Sequence, residues 1–456
     1  MFGAFTSFGK LGALASSVAR AWSPAALWPT GTEPGMWIDP SNLATSWADY
    51  TGTTPVATPG SVADSANPVG LALDLRLGAT VLTDPGNHLL QATSTARPLL
   101  SARVNLLTYT EDFSSFGWRN FNSGMTVTTG QTDPDGGTTA VLLKPTAASN
   151  WHGFDRLNYY SSIGDNTFRV YIKPDGLQYF FAITGNAQIS EIGTLGACFD
   201  LTGAGSVVRV GSWNASATVE LDSSGYYICT LNSTQTSGGI AFGASNSTTW
   251  GEFTGDGTSG FYFAFPDLRR TGSAETQPLY QSIPGDGSTY TATGITPFQL
   301  YDGTDDGMAT ASFAAGTLTS DMDCLIAVRR DAGSNMVIGF HRSAGSNQYI
   351  AATGTGAPAT AGAGTPTTWV DGVQVSGGTS TSSDDLNTAL TVGDWHVLEL
   401  RGLDLSAWTD LRFGYYGWAW DFNGALGGIL LFPGGNTAGR DAARAWLAAK
   451  VGVTLP

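Results

Sequence analysis

The chain has 456 residues, enough for two to four domains, with 42% hydrophobic and only 13% charged residues against roughly 25% in an average soluble domain. Its net charge of -16 and pI near 4.5 exclude nucleic acid as a partner, since counterion release needs clustered Lys and Arg, and exclude a polybasic membrane contact. Sixty glycines and abundant Ser and Thr describe a turn-rich, all-β protein.

Residues 1–22 hold one lysine, an apolar segment from Leu11 to Ala19 and the triplet Ala13-Leu14-Ala15, which admits a secretory signal. The same residues also read as a helix. Phe8, Leu11, Leu14, Val18 and Trp22 fall on one stripe at spacings of three and four, and Pro24 stops it. A stripe of this kind needs a partner surface, so residues 1–35 are expected to be an assembly segment docking on another copy or another protein. Pro24, Pro29 and Pro34 then make a stiff exit.

Residues 36–103 carry Trp37-Ile-Asp39-Pro40-Ser41 near their start and Gln91-Ala92-Thr-Ser-Thr-Ala-Arg97-Pro98 near their end. The order resembles the opening of a concanavalin-like (laminin-G-type) sandwich found in proteins of tailed bacteriophages and their prophages. In that family the next piece is an apolar strand ending in Phe-Asp-Gly-x-x-Asp. It is missing at residue 104 and turns up at Phe298-Gln-Leu-Tyr301-Asp302-Gly303-Thr-Asp305-Asp306, with Tyr301 in the aromatic place.

The resemblance therefore implies a second sandwich, residues 104–294, inserted in a loop of the first, as closed domains with adjacent termini allow. It opens on Asn105-Leu-Leu-Thr-Tyr-Thr-Glu-Asp-Phe113 through Trp118, read as an edge-capping first strand with two anchoring aromatics. Strand-sized runs follow at Val170, Tyr179, Ala197, Val207, Gly225 and Phe261, each bounded by Gly, Asn, Asp or Ser. This middle segment resembles the carbohydrate-binding-module-like jelly rolls of phage proteins.

From Asp321 the interrupted sandwich resumes with runs at Cys324, Met336, Gln348, Thr368, Trp395 and Leu411. Phe422 to Phe432 is read as a final strand pair. A helix capped near Asn436 or Thr437 carries Ala443, Trp446, Leu447 and Lys450 and ends at Gly452. The expected fold class is all-β: two β-sandwich (jelly-roll) domains, one inserted in the other. An N-terminal helical or extended anchor (1–35) precedes the discontinuous host (36–103 plus 295–456), which ends in a short helix.

Chemistry is sparse. His88, His152, His341 and His396 stand apart from any nucleophile motif, and no Glu-x-Asp-x-Glu run supplies alternating carboxylates. Cys198, Cys229 and Cys324 each sit in an apolar run and are expected as reduced, buried fillers. No cofactor is implied. The acids Asp302, Asp305 and Asp306 read either as turn formers or, with backbone oxygens, as a Ca2+ site. Turn-flanked Trp151, Tyr159, Tyr160 and Trp250 are the candidates for carbohydrate binding, because pyranose rings stack on flat aromatic faces; core filling is the rival role for the same residues.

Taken with the resemblance, these features point to a non-enzymatic virion component. It would be a fibre, spike or decoration protein of a tailed phage or a phage-derived gene transfer agent. Its expected location is the particle surface, anchored to other virion proteins by residues 1–35, with no membrane span. By analogy with phage fibres it would be a homo-oligomer, a trimer, binding host surface glycan. The rivals are an extracellular polysaccharide depolymerase and a non-binding cement protein.

Overall fold

The structure, a computed structural model, describes residues 22–456 except 85, 114–116, 161–165, 186–188, 236–237, 271–279, 332–335, 342–347, 350–351, 354–360, 376–381 and 415–420. Four of the stripe residues, Phe8, Leu11, Leu14 and Val18, lie outside the described residues. Trp22 is described: it is half-buried and packs with Leu27, Trp28 and the C-terminal helix. Ser23 caps the short 3-10 helix Pro24–Leu27 by accepting from Ala25 N at 3.3 Å, with proline at its first turn where no donor is lost.

The fold is all-β, with one sandwich inserted in the other. The host's large sheet runs through the strands Trp395–Leu403, Met322–Arg330, Asn423–Pro433, Phe298–Asp302 and Leu99–Ser101 in that order, with Met36–Ile38 also on Asn423–Pro433. Residues from both ends of the chain thus share one sheet: Phe298 faces Ser101, and Met36 faces Leu431. A second sheet of short strands closes the sandwich, running from Ser46–Trp47 to Phe340–His341.

Burial on both faces explains the apolar runs. In Met322–Arg330, Cys324, Ile326 and Val328 point into the sandwich, whereas Leu325 and Ala327 point at the helix Thr437–Val451. Fully burying a side chain such as Leu447 on that face stabilises by about 1.5–3 kcal/mol. Asn436 caps the helix, accepting from Gly439 N at 2.9 Å, and Gly452 ends it at φ +68. The helix is also tied from its polar side. Glu399, fully buried in the sheet, accepts from Arg401 and Arg444 and is ion-paired with Arg440 at 3.2 Å, and Arg440 donates to Asp323 at 2.8 Å.

The guest has two six-stranded sheets, which pack Phe168, Val170 and Ile172 of one against Phe180, Phe242 and Phe154 of the other. Phe242 stacks on Phe263 at 4.4 Å, and Phe113 and Trp118 wedge between the sheets. The ring contacts add roughly 0.5–1.5 kcal/mol each beyond their area.

Two expectations are corrected. The stretch from Asn105 is not a strand: Asn105 Oδ1 accepts from Leu107 N and Leu268 N, and its Nδ2 donates to Pro266 O and Gln281 O, so a side chain makes the bonds a ladder would make. The run Phe422 to Phe432 is not a pair: from Asn423 on it lies on one strand, Asn423–Pro433. Its glycines are close-packing positions rather than turns, since a Cβ on Gly424 would meet Arg329 O at 2.1 Å.

Where guest meets host, Gln281 uses its whole amide. Oε1 accepts from Val104 N (2.8 Å) and Asn105 N (2.9 Å), and Nε2 donates to Ala102 O (3.0 Å) and Thr291 O (2.8 Å). Tyr290 adds a second tie, accepting from Ala102 N and donating to Asp64. The strands leaving and rejoining the host are thereby held side by side. Among the described residues no helix is long and apolar enough to cross a membrane.

Candidate functional site

The guest's outer face carries a second, smaller apolar cluster built on Phe181, Ile183, Cys198 and Ala241 and covered by Trp250, with Trp151 and Phe121 packed at its rim. Trp250 differs from its expected role. Its ring is 6% exposed, lies 5.0 Å from Phe181, and its Nε1 donates to Ile189 O at 2.7 Å. Gly243 makes this possible, because a Cβ there would meet the indole at 2.4 Å. The turn residues around Trp250 thus fold its ring back onto the sheet, and it has no free face for a ligand.

Trp151 rests on that buried ring, with centroids 5.6 Å apart and planes 37° apart, and is itself half-buried. Its backbone N–H donates to Asn150 Oδ1 at 2.8 Å. Asn150 is cross-linked to the neighbouring loop: Asn122 Nδ2 donates to Asn150 Oδ1 (3.2 Å), and Asn150 Nδ2 donates to Asn122 O (3.3 Å). Asn122 and Ser123 both adopt left-handed backbone, φ +50 and +53, and both are exposed. Two successive non-glycine residues in that region cost on the order of 1 kcal/mol or more each, and strain held in this way clusters at binding surfaces.

Phe121 completes the patch, with the Arg119 guanidinium 5.3 Å above its ring. Arg119 is hydrogen-bonded by the buried Asp155, at 2.6 Å from its Nε, and that carboxylate raises the arginine's pKa and keeps it charged. The patch therefore offers two aromatic faces, two side-chain amides and a hydroxyl within one loop cluster. Such a set can stack on the C–H face of a sugar and bond its hydroxyls. Tyr159 and Tyr160 close the strand Gly153–Tyr160, but their side chains lie outside the described residues.

The acids Asp302, Asp305 and Asp306 are together, with one oxygen from each lying within 4.8 Å of the others. Two of them already close the turn: Asp302 Oδ1 accepts from Thr304 N at 2.8 Å, and Asp306 Oδ2 accepts from Asp302 N at 2.9 Å. Burial first, and then the two neighbouring carboxylates, push the Asp306 pKa up to about 7. A cation seated on the trio would offset that crowding, with the rest of its shell coming from backbone oxygens and solvent. Asp133, by contrast, is a turn former that accepts from the backbone of Asp135, Gly137 and Thr139.

Sequence reasoning missed Phe121, Asn122 and Ser123; the run Asn122-Ser123-Gly124 after an aromatic was the available signal. It also missed a chain of hydrogen bonds at His396, where Nδ1 meets Asp371 at 2.7 Å and Nε2 meets Thr391 Oγ1 at 3.0 Å. Thr391 Oγ1 is committed to Asp394 at 2.6 Å, so the cluster pins the start of the strand Trp395–Leu403 rather than presenting a nucleophile. The three cysteines are buried and free, and burial raises each thiol, Cys198 to about 12.

No protein family model and no curated protein matches the sequence. Among solved structures, the N-terminal CBM22-1–CBM22-2 tandem domain of Paenibacillus barcinonensis Xyn10C is similar at 11% identity and a TM-score of 0.22, over 73% of this chain and 97% of that one. A likeness at that level carries no argument about this chain.

Proposed function

We propose that this protein is a non-enzymatic attachment component of a phage-like particle and binds surface polysaccharide through the guest sandwich. The observation that carries the reading is the patch of Trp151, Phe121, Asn122 and Asn150, a half-buried aromatic and amide cluster that keeps Asn122 exposed on strained backbone and lies over a buried tryptophan. The particle context rests on the phage-like order of motifs in residues 36–103 and 298–306 and on the apolar stripe at the N-terminus. Weak contacts per copy suffice in that setting, because presenting many copies on one particle raises effective concentration without any new contact. A homotrimer bound to other virion proteins through residues 1–35 belongs to the same proposal.

The test is a glycan array probed with the full chain and with Trp151→Ala. The reading expects retained binding to a subset of bacterial polysaccharides by the wild type and at least a tenfold loss in the variant. A wild type that binds nothing removes the adhesive role, and shortening of a bound polysaccharide replaces it with the depolymerase reading.

A further inference from the structure

The return from guest to host leaves a recess between the two sandwiches. It is a cavity of about 280 Å³ walled by Val104 and Arg269 of the guest, Phe298 of the return segment, Trp395 of the host sheet, and Lys450 and Val451 at the end of the C-terminal helix. It continues outward as an open groove that shares residues 294–297, Ala449 and Lys450 with it and adds Ser41 and Trp446. Recesses at domain junctions are favoured ligand positions, and this volume sits near the low end of their usual range of about 300–1,000 Å³, which suits a single ring rather than a chain.

The lining selects the chemistry. Trp446 is half-buried, braced edge-on by Trp37 at 6.3 Å, and carries the Lys450 ammonium 4.8 Å from its ring centre. Lys450 is bonded to Asp39, which also accepts from Ser41 N at 2.9 Å and Ser41 Oγ at 2.6 Å. Arg269 is held by both oxygens of Asp267 at 2.6 Å. Each cation on the wall therefore already has its carboxylate. A charged ligand would be desolvated there with no free counter-charge to meet it. A neutral polyhydroxylated ring meets no such penalty: where the cavity opens into the groove its C–H face can lie on Trp446, and its hydroxyls can turn to Ser41 there and to Thr296 and the paired Lys450, which line both recesses.

From this we infer that the host–guest junction is a second ligand site, distinct from the Trp151 patch, and that it takes one neutral pyranose unit. Because its walls come from both sandwiches, an occupied site ties guest to host. The inference does not depend on the Trp151 patch.

The test titrates the full chain with the methyl glycosides of glucose, galactose, mannose and N-acetylglucosamine, read by saturation-transfer NMR and tryptophan fluorescence, with glucuronate and glucosamine as charged comparators. At least one neutral glycoside is expected to saturate with a Kd on the order of 1 mM, as a ligand of this size allows. Ala449→Phe, which fills the shared mouth from an exposed helix position, weakens that binding at least tenfold. The charged comparators bind at least tenfold more weakly. Thr296→Val is the second variant should Ala449→Phe lose its native circular dichroism. The inference is overturned if no neutral glycoside saturates, if folded variants at the mouth bind as the wild type does, or if the charged sugars bind equally well. Loss of polysaccharide binding with glycoside binding intact separates failure of the attachment reading from failure of this one.

Discussion

Replacing Asp306 by Asn should stabilise the protein above neutral pH and leave it unchanged in mild acid. The side chain is 6% exposed and faces Asp302 and Asp305 across one tight turn. Burial and these two carboxylates lift its pKa from 3.8 to about 7, against the opposing hydrogen bond from Asp302 N. The folded state therefore keeps a proton that the unfolded chain has released between about pH 4 and 7. Stability from this group is complete below pH 4 and drains away as the pH rises through 7. A shift of about three units corresponds to roughly 4 kcal/mol, and relaxation of the exposed Asp302 side of the turn lowers the expected loss to about 2–3 kcal/mol. Asparagine cannot ionise and can still accept from Asp302 N. Urea unfolding at pH 3.5 and 8 measures the difference: near-equal free energies at the lower pH, and a variant about 2–3 kcal/mol more stable at the higher. Parallel pH profiles for the two proteins would refute the reasoning. Calcium supplies a discriminating arm. A cation bound by the trio raises wild-type stability at pH 8 and not that of the variant, whereas no change assigns the acids to the turn alone.

Other perturbations follow from the same structure. Gln281→Leu strips four hydrogen bonds from a fully buried joint and should cost about 3–5 kcal/mol in urea unfolding, with amide exchange rising first around residues 102–107; a cost under about 1 kcal/mol would contradict the joint. Glu399→Gln leaves Arg401, Arg440 and Arg444 facing a neutral amide and should cost about 3 kcal/mol, read as earlier melting of the helix Thr437–Val451. Cys198, Cys229 and Cys324 should resist a thiol reagent such as dithionitrobenzoate in the native protein and react together on unfolding, because buried thiols with raised pKa carry almost no thiolate. Rapid native labelling of any one would refute its burial.

The sequence was readable where local pattern and burial agree. The runs at Val170, Tyr179, Ala197, Cys324 and Trp395 lie on strands because β-branched and aromatic residues fill both sheet faces there, and the closing helix announces itself through Asn436 and Gly452. Reading failed where a distant residue decides. Asn105 looks like a strand start, but the bonds to Pro266 and Gln281 that keep it irregular come from more than 160 positions away. Gly424 and Gly427 look like a turn, but a Cβ there would meet Arg329 O of the neighbouring strand at 2.1 Å and Val451 of the helix at 2.6 Å, and one on Gly428 would press on Leu447 at 3.2 Å. Strands as short as Leu71–Ala72 and Leu89–Leu90 carry no periodicity at all. The helix Ser383–Ala389 was marked by Ser382 and the acids Asp384 and Asp385, which also fit a turn. The same limit governs the candidate site. Trp151 and Trp250 have similar neighbours in sequence, and only the fold, through Gly243, buries one ring and leaves the other at the surface.

Affinity electrophoresis through gels containing bacterial surface polysaccharide tests the attachment reading most directly, with Trp151→Ala run beside the wild type. Retardation of the wild type, with free migration of the Trp151 variant, is the predicted result. Equal migration of the two in every polysaccharide would contradict it.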